Sequence, residues 1–182
     1  MTTTLVLGGT RSGKAQYARR FLPADGAVTV MNAGGEAARS GRAAQIHGPR
    51  EQVHVSDSWN VTDSLDVTRA ILRTRNPVLV DCLGTWVVGL LNEWQTWDDP
   101  QQSLERIEQA AYELAALWSD APYDAVAVSH EVGLSPLSPD PQARVYQECL
   151  SRVNTIISQA SRRTHVVIAG RVLDLSDAPA IH

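Results

Sequence analysis

The chain has 182 residues, 43% of them apolar, and a formal net charge of −4, a composition that fits a single globular α/β domain with a sizeable core. Its acidic balance argues against a surface built to coat nucleic acid, which needs a basic patch or stripe, so an anionic ligand has to be met locally. Cys82 and Cys149 are too few and too far apart for a zinc set, and neither a leader-like segment nor a membrane-length apolar run is present. The expectation is a cytoplasmic protein with reduced thiols and no membrane span.

In chain order, the apolar run Thr4-Leu5-Val6-Leu7 predicts a strand and Ala15 to Leu22 a helix. Between them stands Gly8-Gly9-Thr10-Arg11-Ser12-Gly13-Lys14, a glycine-rich loop of the P-loop type. Its glycines let backbone N–H groups turn onto an anion, the helix start adds partial positive charge, and Lys14 reaches the β- and γ-phosphates of a nucleotide. Lys14 is the only lysine in the sequence. A plain glycine turn between strand and helix is the alternative, but strand, loop and helix all stand where a nucleotide-binding motif requires them. The motif G-x-x-x-x-G-K-[ST] ends in a hydroxyl that holds Mg²⁺, and here Ala15 occupies that place.

Ala27 to Met31 predicts a second strand that completes a βαβ unit. Residues Asn32 to Arg50 turn small, glycine-containing and basic, either a surface arm or a site-bearing segment, with helix around Glu36 to Gln45. His47, beside Gly48-Pro49, reads by default as a surface residue. Gln52 to Val55 alternates like a strand, and Asn60 or Thr62 would cap a helix carrying Val61, Leu65, Val67, Ala70, Ile71 and Leu72. Pro77 to Asp81 is a strand ending in a carboxylate, where P-loop proteins hold a Mg²⁺ ligand. The other reading of Asp81 is an N-cap for the helix through Trp86, Val87, Leu90 and Leu91, although that helix starts late for it. Asp99-Pro100 opens another helix, and Ala125 to Ser129 is a buried strand followed by a loop from His130 to Pro141. Asp140-Pro141 starts a long helix to Arg163, with Arg162 and Arg163 complementing its dipole, and His165 to Ala169 closes the sheet. The expected fold is P-loop NTPase-like (RecA-like): a mostly parallel sheet flanked by helices in three layers, as one domain over residues 1–182.

With these segments placed, the chain resembles the bifunctional adenosylcobinamide kinase / adenosylcobinamide-phosphate guanylyltransferase family of cobalamin biosynthesis over nearly its whole length. The family's Gly-Gly-x-Arg-Ser-Gly-Lys-Ser appears as Gly8-Gly9-Thr10-Arg11-Ser12-Gly13-Lys14-Ala15. Val80-Asp81-Cys82-Leu83-Gly84-Thr85-Trp86, with Leu90-Leu91, is similar to its acidic strand end, threonine and following helix. Ser129-His130-Glu131-Val132-Gly133 is similar to its Asn-Glu-Val-Gly loop. Ala143-Arg144-Val145-Tyr146-Gln147-Glu148, with Asn154, is similar to its Ala-Arg-x-Phe/Tyr-Arg-Asp and later asparagine.

The resemblance implies two reactions. A nucleoside triphosphate, ATP or GTP, phosphorylates the aminopropanol hydroxyl of the corrinoid adenosylcobinamide; GTP then donates GMP to that phosphate through a guanylyl-histidine intermediate, with Mg²⁺ assisting. It also implies a homotrimer whose guanylylation site draws on adjacent subunits. The family's nucleophilic histidine lies in Arg-Ile-x-His-His-x-x-x-Arg-Pro-x-x-Trp; counted back from the following strand, with Val55 in the tryptophan's place, His47 falls on the second histidine. Arg42, Arg50 and Lys14 are the cations for developing phosphate charge, and Glu131 is a further phosphate or substrate candidate. The departures are Ala15, Ile46 for the first histidine, Arg50 one position out of register, Val55, and His130 for the asparagine. Two other readings therefore stay open: a member with one activity, and a GTP-binding module without turnover. Because water, the phosphates and Asp81 can still hold the ion, the kinase is expected to be weakened rather than abolished.

Overall fold

A strand buried on both faces sends alternate side chains to opposite sides of its sheet. In the computed structural model, which describes residues 1–35, 46 and 55–181, β1 (Thr3–Gly8) does so: Leu5 and Leu7 enter one core and Val6 the other. Six strands join it, β2 (Thr29–Ala33), β3 (Asn60–Ser64), β4 (Val78–Asp81), β5 (Ala125–His130), β6 (Arg163–Ile168) and β7 (Arg171–Asp174). Their order is β3-β2-β4-β5-β1-β6-β7. Every neighbouring pair is parallel except β6 with β7. β1 is thus central, and β5 stands between it and β4.

Helices cover both faces, giving the expected three layers. On one side lies α1 (Lys14–Ala18), which tightens into a 3₁₀ turn at Arg19–Phe21. The other carries α2 (Val67–Arg73), α3 (Leu83–Trp94), α4 (Pro100–Ser119) and α5 (Pro141–Ala160). Three of them start on an aspartate cap. Asp66, Asp99 and Asp140 accept the backbone N–H three residues on, at 2.9 Å, 3.0 Å and 2.9 Å. Proline follows the cap in α4 and α5, where its fixed φ suits the first turn.

The strand expected over Gln52 to Val55 lies outside the described residues except for Val55, which is irregular and 40% exposed. Three other sequence expectations change. The helix expected from Asn60 or Thr62 begins only at Val67; Asn60–Ser64 is instead the edge strand β3, paired with β2 alone. Val61 and Leu65 are four apart, which mimics a helix face, yet the β-branched Val61 and Thr62 suit a pleated edge. α5 stops at Ala160, so Arg162 and Arg163 do not meet its dipole. Arg162 N–H donates to Thr3 Oγ1 at 3.1 Å and Arg163 pairs with Thr4 in the sheet. Finally, β6 is followed by a tight hairpin through Ala169 and Gly170, both at positive φ (49° and 73°), into β7.

Cys149 lies deep between α5 and its neighbours, and burial, with smaller effects from Glu148 and Glu108, pushes its thiol up to about 12. At pH 8 almost no thiolate is present, and the thiolate is the reactive form. A thiol-specific disulfide reagent should leave Cys149 unmodified in the native protein and label it on denaturation; peptide mass mapping reads the result.

Candidate nucleotide site

The C-terminal ends of β1, β2, β4 and β5 share one edge of the sheet, where open α/β sheets place their ligands. The loop after β1 owes its shape to close approach. A Cβ on Gly8 would lie 2.5 Å from Ser12 Oγ and 2.6 Å from the Val167 carbonyl oxygen of β6, so the strand can turn into the loop there only without a side chain. Arg11 (φ 55°) and Gly13 (φ 90°) take left-handed conformations that curl the chain. Ser12 N–H donates to Gly9 O at 3.3 Å, and Gly170 N–H from the β6–β7 hairpin donates to Ser12 O at 3.1 Å. Lys14 is 2% exposed and lies back over the loop, its Nζ donating to Gly9 O at 3.1 Å. Ala15 is 1% exposed and packs in the core beneath α1.

Asp81, 6% exposed, ends β4 opposite Val128 of β5, which in turn faces Val6 of β1. Two interstrand spacings, about 10 Å, therefore separate its strand from β1. The N-cap of α3 is Cys82, one residue on, so the capping alternative for Asp81 falls away. Thr85 Oγ1 accepts Cys82 N–H at 3.2 Å and lies 3.0 Å from the Ala33 carbonyl of β2, tying the start of α3 to the next strand end. Gly89 on α3 makes room for the loop after β2, because a Cβ there would stand 2.9 Å from both Gly34 Cα and Gly34 O.

Among the described residues, no group of three or more His, Cys, Asp or Glu gathers as a metal cluster. Mg²⁺ in a nucleotide site takes one or two carboxylates and completes its shell with phosphates and water. Asp81 fits that part; Ala15 contributes no donor.

β5 carries Glu131 past its end. Glu131 N–H donates to Gly8 O at 3.2 Å, next to the phosphate loop, while its Oε1 accepts Gly133 N–H at 2.6 Å. Its carboxylate lines a groove of about 390 Å³ with Asn154 and Ser151 of α5 and Ile181. Asn154, 4% exposed, fixes this strand end twice: Ser129 Oγ–H donates to its Oδ1 at 2.6 Å and its Nδ2 donates to His130 O at 2.9 Å. Replacing Asn154 with leucine leaves two buried groups unpaired, at a cost of about 2–4 kcal/mol. The expected result is a Tm lower by roughly 5–15 °C in calorimetry.

His47, Arg42 and Arg50 lie outside the described residues. Ile46, just before His47, packs against the main core. The sequence marks Thr85 and Asn154 only through the family resemblance and Gly89 not at all, and it does not show that the three set the geometry of this edge. Their partners are distant in the chain, and the only local signals were a threonine three residues after the α3 cap and a glycine inside an otherwise apolar helix.

A family model described as "Cobinamide kinase / cobinamide phosphate guanyltransferase" matches residues 4–175. The "Bifunctional adenosylcobalamin biosynthesis protein CobP" of Pseudomonas aeruginosa is 28% identical over 181 residues, covering 96% of this chain and 98% of that protein. The "Bifunctional adenosylcobalamin biosynthesis protein CobU" of Escherichia coli is 27% identical over 175 residues, with 91% and 95% covered. Its namesake in Salmonella typhimurium is 28% identical with the same coverage.

Proposed function

The chain belongs to the cobinamide kinase / cobinamide phosphate guanyltransferase family, and from that premise we propose that it phosphorylates adenosylcobinamide and then transfers GMP from GTP to the product. The observation that carries this reading is the phosphate loop at the end of the central strand with Asp81 two strands away, inside a family match that spans both. The same reading brings ATP and GTP as nucleotide substrates, a corrinoid acceptor, Mg²⁺, a cytoplasmic setting and a homotrimer. No described helix is long and apolar enough to cross a membrane.

In the first step the aminopropanol oxygen attacks the γ-phosphorus, the β–γ bridging P–O bond breaks, and the nucleoside diphosphate leaves with the bond's electron pair. The amides from Gly9 to Lys14 hold the phosphates and the Lys14 ammonium meets the charge on the transferring group. Glu131, beside Gly8, is the carboxylate proposed to receive the hydroxyl proton. Asp81 would hold Mg²⁺, which neutralises phosphate charge when bound. Restoring the missing hydroxyl with Ala15→Ser should raise kcat for phosphorylation by about tenfold; an unchanged rate would remove Ala15 from the metal argument.

In the second step a neutral imidazole nitrogen attacks the α-phosphorus of GTP and pyrophosphate departs. An oxygen of the corrinoid phosphate then attacks the same phosphorus and the P–N bond breaks. Arg42 and Arg50 are the proposed cations. His47 is the proposed nucleophile, counted back with Val55 in the tryptophan's place; His47 and Gln52 to His54 lie outside the described residues. His54 is the other histidine of this segment. Intact mass after incubation with Mg²⁺ and GTP decides: a GMP adduct is expected in the parent and in His54→Ala, and none in His47→Ala. The reverse pattern would move the nucleophile to His54. No adduct in a parent that still phosphorylates cobinamide would reduce the protein to one activity.

A further inference from the structure

On the flank of the phosphate loop away from Asp81, α1 and the β6–β7 hairpin enclose a cavity of about 160 Å³, lined among others by Gly13, Gln16, Tyr17, Arg20, Gly170 and Val172. Pockets for whole small molecules run to about 300–1,000 Å³, so this one is sized for a single moiety. It is continuous with the loop, because Ser12 and Gly13 belong to its wall. The opposite wall is tied to the loop by the Gly170 N–H to Ser12 O bond at 3.1 Å. Added side chains on Gly13 or Gly170 would meet nothing within 4 Å, so both backbones face open space. The lining suits a flat, partly polar ring: the Tyr17 ring with the Arg20 guanidinium 5.9 Å from its centroid, the Gln16 amide, and the apolar sides of Val167 and Val172.

Tyr17 is held in place from behind. Its hydroxyl lies 2.9 Å from His165 Nδ1, and the His165 ring is 5% exposed. Asp174 Oδ1 stands 3.3 Å from His165 Nε2, within ion-pair range but off the line of an N–H hydrogen bond. That carboxylate is itself fixed by Ser176, whose hydroxyl and backbone N–H donate to it at 2.6 Å and 2.9 Å. With its proton on Nε2, beside that carboxylate, His165 would accept the Tyr17 O–H at Nδ1. The phenol oxygen keeps its lone pairs for an amino group, such as the one that distinguishes each purine. Phe21 packs edge-on against the Tyr17 ring, with centroids 5.2 Å apart.

We propose that this cavity seats the base of the nucleotide whose phosphates lie on the loop, with Tyr17 as the specificity-determining residue and His165 and Asp174 as its positioning residues. The proposal rests on the nucleotide reading of the loop and adds where the nucleoside lies. A triphosphate bound this way runs from Lys14 over Gly13 and puts its base against α1, leaving the Asp81 side open for the acceptor.

Titration calorimetry on the full chain, with inorganic tripolyphosphate, ATP and GTP as probes, tests it. Val172→Trp fills the cavity from β7 and Gln16→Trp from α1. Both positions are solvent-exposed, so thermal melts should match the parent. In each variant nucleotide affinity should fall by at least about tenfold, while tripolyphosphate affinity stays within about twofold. Tyr17→Phe and His165→Gln should change the ratio of ATP to GTP affinity by about threefold or more, whereas a merely structural role would shift all three probes together. Tripolyphosphate binding with unchanged nucleotide affinity in both tryptophan variants would overturn the cavity and leave the loop intact. A parent that binds none of the probes would overturn the loop reading and the proposal with it.

Discussion

Replacing Lys14 with methionine should lower kcat/KM for cobinamide phosphorylation by about 10²–10³-fold, the effect of removing one preorganised charged donor from a transferring phosphoryl group. Lys14 is 2% exposed, so its ammonium is offered to phosphate from a largely dry setting where charge counts for more. Methionine keeps most of the stem's volume and limits the cavity left behind, which makes the loss one of charge. Lys14→Arg should fail as well, because a planar fork cannot fold back over the loop towards the Gly9 carbonyl as a compact ammonium does. Initial rates with matched nucleotide Kd values and circular dichroism check the result. A rate within about threefold of the parent would take the loop out of the chemistry.

Gly8→Ala should destabilise the fold by about 2–4 kcal/mol, the range of a severe overpacking. Both activities should disappear with it. The added carbon would meet Ser12 Oγ at 2.5 Å, which a rotamer change could relieve. It would also meet the Val167 carbonyl at 2.6 Å, which cannot move without parting β1 from β6, since Gly8 and Val167 are partners in the ladder. Gly9→Ala is the control, because a carbon there meets nothing within 4 Å. Calorimetry should show a Tm lower by roughly 5–15 °C for Gly8→Ala and within about 2 °C for Gly9→Ala. Equal melting would mean that the contact with β6 does not constrain the loop.

The interior strands were legible because burial on both faces leaves unbroken apolar runs, as in Val78–Asp81 and Ala125–His130, and α4 and α5 announced themselves by Asp-Pro starts. The edges were not. β3 and β7 are almost wholly exposed, so neither alternation nor an apolar run marks them, and β3 was read as helix from a chance four-residue spacing. The site divides in the same way. The phosphate loop is contiguous and can be read from seven neighbouring letters. Thr85 instead acts on a carbonyl 52 residues away, Asn154 on a strand end 24 residues away, and Tyr17 on a histidine 148 residues away. No local pattern encodes such partners. The histidine segment, His47 included, lies outside the described residues.

The place of β1 in the sheet also governs when the protein becomes itself during synthesis. Its two neighbours begin at Ala125 and Arg163, and the hairpin that braces Ser12 turns at Gly170. Ribosomes add about 5–20 residues per second. The apolar β1 therefore emerges and waits roughly 6–25 s for β5 and roughly 8–30 s for β6 to be complete, a span in which chaperones would have to shield it. The phosphate loop is made well before the turn that braces it, so nucleotide capture on a stalled nascent chain would begin only once the β6–β7 turn has cleared the exit tunnel.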